Sequence, residues 1–323
     1  MEENTRKDAK AGSLRRKLQS RKLPLTIVEI APEFILAASL RSLARPQLRR
    51  IGVTRLDSGI VEPSPLQLNV AEAQRLMDRL RETGKPMGAR KGQVALLIPD
   101  AVARVSVLAF ETLPAKKKDR EALIRWRIKD TLGFAPEDAS VSYQVTSDAP
   151  GSIEVLAVAV KTEILEQYET ALKTFNAGIA LTLPVTMALL PLLPGNGAGA
   201  QLLTHRGAGW VTNAVVTGER LRFWRSRSVA SNGGTPEIVP EAARAAASVR
   251  DRLGIEISRA WYCARPPDES GYAGQIGHEL GLPVEPLPLE DSIQAALGAE
   301  ERELLSSFGA PVAGLIANRG EPR

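Results

Sequence analysis

The chain has one cysteine, Cys263, and two histidines, His205 and His278. A lone thiol excludes an internal disulfide framework and fits a reducing compartment. With so few candidate ligands, a Cys/His zinc cluster is excluded as well. Long apolar runs are also missing. The longest candidate, MALLPLLP at 187–194, is broken by prolines and falls short of the roughly 20 residues that span a bilayer. The first residues are basic but lack the apolar core of a signal peptide. Together these absences predict a soluble, cytoplasmic protein.

Net charge is missing from the body of the chain. Residues 1–23 carry eight basic side chains (Arg6, Lys7, Lys10, Arg15, Arg16, Lys17, Arg21, Lys22) and three acids, Glu2, Glu3 and Asp8. Their excess equals the formal charge of the whole protein, +5. The basic character therefore belongs to a tail and not to a folded face, which argues against nucleic acid as a partner. Two readings of the tail remain open. It is either a solvated, disordered leader or an electrostatic tether to anionic lipid, worth up to about 1 kcal/mol per basic residue near the surface. Leu14 and Leu18, four apart, could seat one short turn.

What is present is an ordinary globular composition, 44% hydrophobic and 24% charged over 323 residues, enough for one large or two moderate domains. LTIVEI (25–30), FILAASLRSL (34–43) and LRRIGVTRL (48–56) read as a three-strand meander, with Arg45-Pro46 at its second turn. A helix follows from Val70, Ala73, Leu76, Met77 and Leu80 at helical spacing, stopped by Gly84. After a basic linker at 84–92 the pattern predicts strands near 93–98, 104–110, 139–146 and 153–160 with a helix at about 118–132, grouped as a small α+β insert. A helix at 161–176 closes the first half, with Leu165, Tyr168, Leu172 and Phe175 as core.

Pro and Gly cluster at 191–200, and beyond them the pattern restarts. QLLTHRG, GWVTNAVVTG and ERLRFWRSRS read as three strands turning at Gly207, Gly209 and Gly218. A helix at 240–254, a strand at 257–264 and a last helix at 311–319 complete the chain. The expected organisation is a basic disordered tail (1–23), a first lobe (24–84 and 161–195), an inserted α+β subdomain (85–160), a second lobe (196–308) and a terminal helix (309–323).

The region from Val94 to Gly178 runs strand-turn (QVALLIPDAVARVSVLAFETLP), basic helix (DREALIRWRIKDTLGFAPED), strands VSYQV and IEVLAVAV, and helix KTEILEQYETALKTFNAG. This order resembles the central region of the PilM-type type IV pilus assembly proteins, relatives of actin and of the division protein FtsA. The repeated strand–strand–strand–helix order of the two halves is similar to that of the actin/hexokinase superfamily. The resemblance covers roughly residues 24–320. It implies an α/β, two-lobed actin-like ATPase fold, with duplicated meander–helix halves and the small subdomain inserted.

The resemblance also implies where a nucleotide would lie, and at each place this chain departs from the pattern. ATP-binding relatives carry a D-I-G-S-S-like first turn, whose amides cup phosphate. Here Glu29 replaces the Asp, Ala31 the Gly, and Pro32 and Glu33 the Ser pair. Proline offers no N–H, and a carboxylate facing triphosphate costs about 1 kcal/mol or more even in water. In the second turn Gly207 and Gly209 remain, but Thr204 or His205 stands for the acid. Lacking an acidic neighbour in sequence, His205 reads as a surface histidine. In the third, Ala264 and Arg265 replace both glycines, with Pro266-Pro267 after them. Only 11 residues join Ser228 to Pro240, where PilM-type ATP binders insert a subdomain that grips adenosine. Gly233-Gly234 reads as its remnant. Neither cofactor nor metal is expected; ATP with magnesium is the alternative.

The implied role is then docking, as a non-catalytic adaptor at the cytoplasmic face of the inner membrane. The implied partner is the N-terminal tail of a PilN-like bitopic membrane protein, with other pilus platform or motor proteins behind it. An extended peptide could lie on a sheet edge, RVSVLAFE with Arg104 or VSYQV with Tyr143. Trp126 and Arg127 on the insert helix and Phe134 in the loop after it are the other candidate contacts. Leu123, Trp126 and Asp130 equally form one helical stripe, so Trp126 can instead be core. An active ATPase of the same fold is the competing reading. An FtsA-like filament would need a terminal amphipathic membrane helix, which the ending NRGEPR does not offer. The type II secretion L-subunit, which shares the fold, would need a transmembrane segment.

Overall fold

The structure, a computed structural model, describes residues 23–41, 47–87, 93–149, 151–175, 178–195, 199–229, 237–268, 270–289 and 297–318. Residues 1–22 of the basic tail, the Arg45-Pro46 turn and Gly233-Gly234 lie outside the described residues, whereas Leu23, assigned to the tail, is buried in the core.

Three strands, β1 (Thr26–Ile30), β2 (Phe34–Leu40) and β3 (Leu48–Arg55), form the antiparallel meander. Helix α1 (Ala73–Gly84) follows and runs on into a 3₁₀ turn at Lys85–Met87. It starts later than its apolar spacing predicts, because Val70 makes a β-bridge to Val61. Strand β4 (Gln93–Ile98) lies parallel between β1 and β8 (Gly178–Pro184). The sequence reading places residues 93–98 in the insert; the pairing places them inside the first sheet, order β3-β2-β1-β4-β8. Five nearly continuous buried apolar residues, Val94 to Ile98, are what a strand covered on both faces requires.

The small sheet therefore has three strands. These are β5 (Arg104–Phe110), β6 (Ala139–Ala149) and β7 (Ser152–Lys161), in the order β5-β7-β6 and all antiparallel. Helix α2 (Lys117–Leu132) covers one face and ends at Gly133 in the left-handed region, φ 78°. Its buried stripe is Ile124, Ile128 and Leu132, at i, i+4 and i+8, packed on Val155, Ala157 and Ala159. Helix α3 (Thr162–Leu172) returns the chain to the first lobe. There Ile164, Tyr168 and Leu172 join Leu76 and Leu80 of α1 against Val28, Val94 and Leu96. Short helix α4 (Val185–Leu189) follows β8.

The second sheet repeats the plan of the first. Strands β9 (Ala200–Gly207), β10 (Trp210–Thr217) and β11 (Arg220–Ser228) make the meander, backed by α5 (Ile238–Leu253). Strand β12 (Ile257–Ala264) lies parallel to β9, and β13 (Val284–Pro286) parallel to β12 after α6 (Tyr272–Leu280). The order β11-β10-β9-β12-β13 matches the first sheet element for element. Helices α7 (Ala299–Phe308) and α8 (Ala310–Ala317) carry the chain back to the first lobe. The apolar faces of both sheets share one core: Ile27, Leu36 and Leu97 from the first, Leu203, Ala214 and Trp261 from the second, with Met187 and Val312 between them. Strands β8 and β13 and helices α4, α6 and α7 are elements the sequence reading does not contain.

Candidate functional site: the cleft between the lobes

The turn from β1 to β2 lies at the bottom of the cleft. The N–H of Ala31 is spent on the carbonyl of Phe34, 2.9 Å away. Pro32 has no N–H to give, so at these two positions the turn presents no amide to an anion. Across it, Glu29, Ala31, Pro32, Gly207 and Arg265 all line one cavity of about 40 Å³. At about 10–15 Å³ per water, that space holds roughly three waters. Gly209, φ +69°, forms the tip of the β9–β10 hairpin.

Glu29, from β1, and Arg265, from the end of β12, meet in a two-pronged ion pair. Arg265 Nη1 donates to Glu29 Oε1 at 2.8 Å and Nη2 to Oε2 at 2.6 Å, both side chains 4% exposed or less. Nε donates to the carbonyl of Phe308 at 2.9 Å, and the guanidinium lies 5.5 Å from the Phe34 ring centroid. Phe34 and Phe308 meet edge to face at 4.9 Å. A buried ion pair repays its desolvation only when the geometry is good and the remaining donors are satisfied. Fork-to-fork pairing and the Phe308 carbonyl supply these conditions, with the Phe34 ring as one wall. Cys263 lies beside this pair. Burial pushes its thiol up to about 11, with Arg265 lowering it and Glu29 raising it, so it stays protonated at neutral pH.

A second polar contact crosses the cleft. Asp100, just after β4, accepts the Thr186 N–H at 2.9 Å on Oδ1 and the Thr186 hydroxyl on Oδ2. His205 Nδ1, from β9, lies 3.1 Å from the same Oδ2 and 2.7 Å from Thr186 Oγ1. His205 is 4% exposed. This corrects the reading of a surface histidine without an acidic partner: the acid comes from 105 residues away in sequence, which local inspection does not reveal. At the cleft margin, Asp268 accepts from Arg206 Nη1 at 2.9 Å and the Tyr262 hydroxyl at 2.8 Å. Burial raises its pKa, but the Ser270 and Tyr262 hydrogen bonds and the charge of Arg206 outweigh burial and hold it below the usual range. Among the described residues no group of three or more His, Cys, Asp or Glu side chains could hold a metal.

The residues singled out for docking do not form one surface. Trp126 is 58% exposed and Arg127 is exposed, on the face of α2 turned away from the sheet. Lys129 Nζ lies 5.2 Å from the Trp126 ring centroid. Trp126 is therefore not core, and the stripe Leu123–Trp126–Asp130 is not the buried one. Phe134 and Tyr143 pack half-buried against the module's own core. Arg104 opens β5, whose outer edge runs along β11 of the second lobe. The outer edge of β6, the strand that carries Tyr143, pairs with no other strand among the described residues.

No protein-family model and no curated protein matches the sequence. In three dimensions the chain is similar to one in a PilM–PilN type IV pilus biogenesis complex, at 15% identity and a TM-score of 0.74, covering 94% of this chain and 100% of that one. It is also similar to a Bacteroides thetaiotaomicron protein with actin-like ATPase fold and unknown function, at 9% identity and a TM-score of 0.51, covering 90% of this chain and 98% of that one. The cytoplasmic domain of EpsL, an inner membrane component of the Vibrio cholerae type II secretion system, matches at 13% identity and a TM-score of 0.48, covering 88% and 95%. The chain has the actin-like ATPase fold, and its expected likeness to PilM-type proteins holds in the architecture. No described helix is long and apolar enough to cross a membrane.

Proposed function

We propose that this chain is a non-catalytic adaptor in an inner-membrane assembly platform of the type IV pilus kind, or of a type II-like secretion relative. In this reading it works at the cytoplasmic face of the membrane and binds the N-terminal tail of a PilN-like bitopic protein. The observation that carries the reading is the Glu29–Arg265 ion pair. A nucleotide-binding cleft of this fold presents free amides and an acid for metal. Here the acid is a glutamate held by an arginine from the opposite lobe, and the Ala31 amide is already used. The likeness to a chain of the PilM–PilN complex supports the choice of machine and partner.

Docking in this reading uses the inserted module. The free β6 edge can take an extended peptide by main-chain hydrogen bonds, and Trp126 with Arg127 supplies an aromatic–cationic anchor on α2. Two measurements test the proposal. Magnesium ATP should leave the melting temperature unchanged, because a ligand stabilises only what it binds; a substantial upward shift would restore the ATPase reading. Full-length protein should retain a bitopic protein from detergent-solubilised membranes, identified by mass spectrometry. Recovery of soluble proteins alone would refute the adaptor assignment.

A further inference from the structure

The seam between β5 and β11 joins two sheet edges, the inserted module on one side and the second lobe on the other. At one end the arginines share a carboxylate. Arg222 Nη1 lies 2.7 Å from Glu154 Oε1, and Arg220 Nη1 lies 3.6 Å from Oε2. Glu154 pairs in register with Ala109 of β5. Arg104 lies five residues before Ala109 along β5, and Arg227 lies five residues after Arg222 along β11. β11 also touches the 3₁₀ turn Asp100–Val102 that precedes β5, so the two strands run in opposite directions. At about 3.3 Å per residue each travels roughly 16 Å, which brings Arg104 and Arg227 to the same far end of the seam.

There no described residue supplies a counter-charge. Arg104 Nε is buried and has no hydrogen-bond partner among the described residues. Its guanidinium is held below its ordinary value by burial and then by the charge of Arg227, with no carboxylate opposing either. Arg227 is exposed. The two ends of the seam therefore both present arginine pairs, but among the described residues only one end has an acid. Two guanidiniums kept together without an anion repel each other, and the arginine fork matches phosphate oxygens in geometry as well as charge.

We propose that this end of the β5–β11 seam is an oxyanion site, in which Arg104 and Arg227 together hold a phosphate-type dianion. A dianion balances both unit charges, whereas one carboxylate would leave one of them uncompensated. The phosphate can be free or belong to a lipid headgroup, and the site is distinct from the cleft and independent of the adaptor reading.

The test titrates inorganic phosphate into the full chain at constant ionic strength, followed by calorimetry and thermal melting, beside R104Q and R227Q. A parallel arm sediments the protein with phosphatidylcholine vesicles with and without phosphatidic acid. Phosphate should raise the parent melting temperature, and each variant should bind about tenfold more weakly or worse. Binding in the phosphate arm alone assigns a free ligand; binding to phosphatidic acid vesicles, lost in R104Q, assigns a headgroup. Without phosphate, R104Q should melt no lower than the parent, since it removes a half-buried charge whose Nε has no partner among the described residues. The proposal fails if neither arm responds, if R104Q responds like the parent, or if R104Q is clearly less stable without ligand. The last result would mean that Arg104 has an internal partner.

Discussion

Arg265 and Glu29, 236 residues apart in sequence, close end to end across the cleft at 2.8 and 2.6 Å. Removing either partner strands a buried charge. Glu29→Ala and Arg265→Ala should each lower unfolding free energy by about 3–5 kcal/mol, measured by urea denaturation. The double variant Glu29→Leu/Arg265→Met should recover much of that loss, because an apolar pair of similar volume pays no desolvation. If the double variant is as unstable as the worse single one, the pair is not acting as a unit.

The same two residues show what the sequence makes legible. Glu29 and Arg265 each stand out as a departure at a position where the fold binds nucleotide, but their contact depends on how two lobes meet, and no periodicity encodes that. Asp100 and His205 are hidden for the same reason. The meander and helix of each half are readable because apolar spacing is a local property. The apolar run of β4 fits any buried strand, and only pairing with β1 decides which sheet owns it. On α2 an aromatic residue suggested the wrong stripe, whereas counting Ile124, Ile128 and Leu132 at i, i+4 and i+8 would have found the right one.

Gly314 of α8 sits so close to α4 that a Cβ there would come within 1.9 Å of the Ala188 carbonyl oxygen. Two helix backbones approach because one residue has no side chain, and this contact anchors the C-terminal helix to the first lobe. Gly314→Ala should therefore destabilise the protein by at least about 1–3 kcal/mol through overpacking, although alanine is the better helix former. A gain in melting temperature would show that α8 can slide away without cost.

Cys263 offers a pH test. Its ordinary value is 9.0 and its folded value about 11, so the unfolded chain releases this proton first. Below about pH 9 the thiol is protonated in both states and has no effect. As pH rises through the window to about 11, the unfolded state gains by ionising and stability falls, by an order of 2–3 kcal/mol at the top of the window. Cys263→Ala should remove this part of the alkaline loss while other groups keep theirs. Thiol reagents at pH 8 should label native protein more slowly than unfolded protein, because the half-buried thiol stays protonated; equal rates would contradict the raised value.

Trp126 and Ile128 are two residues apart on α2, but their side chains do different work. Ile128 is 2% exposed in the module core, and truncating it to alanine should cost about 2–5 kcal/mol. Trp126 is 58% exposed, so Trp126→Ala should change stability by no more than about 0.5 kcal/mol. A buried anchor at an interface, by contrast, commonly costs 2 kcal/mol or more when truncated, roughly a thirtyfold loss of affinity. Under the adaptor reading, Trp126→Ala should therefore keep its melting temperature while losing capture of the membrane partner. Ile128→Val, which keeps the fold, should keep capture too. If Trp126→Ala retains full capture, the outer face of α2 is not the docking surface and the free edge of β6 becomes the place to mutate next.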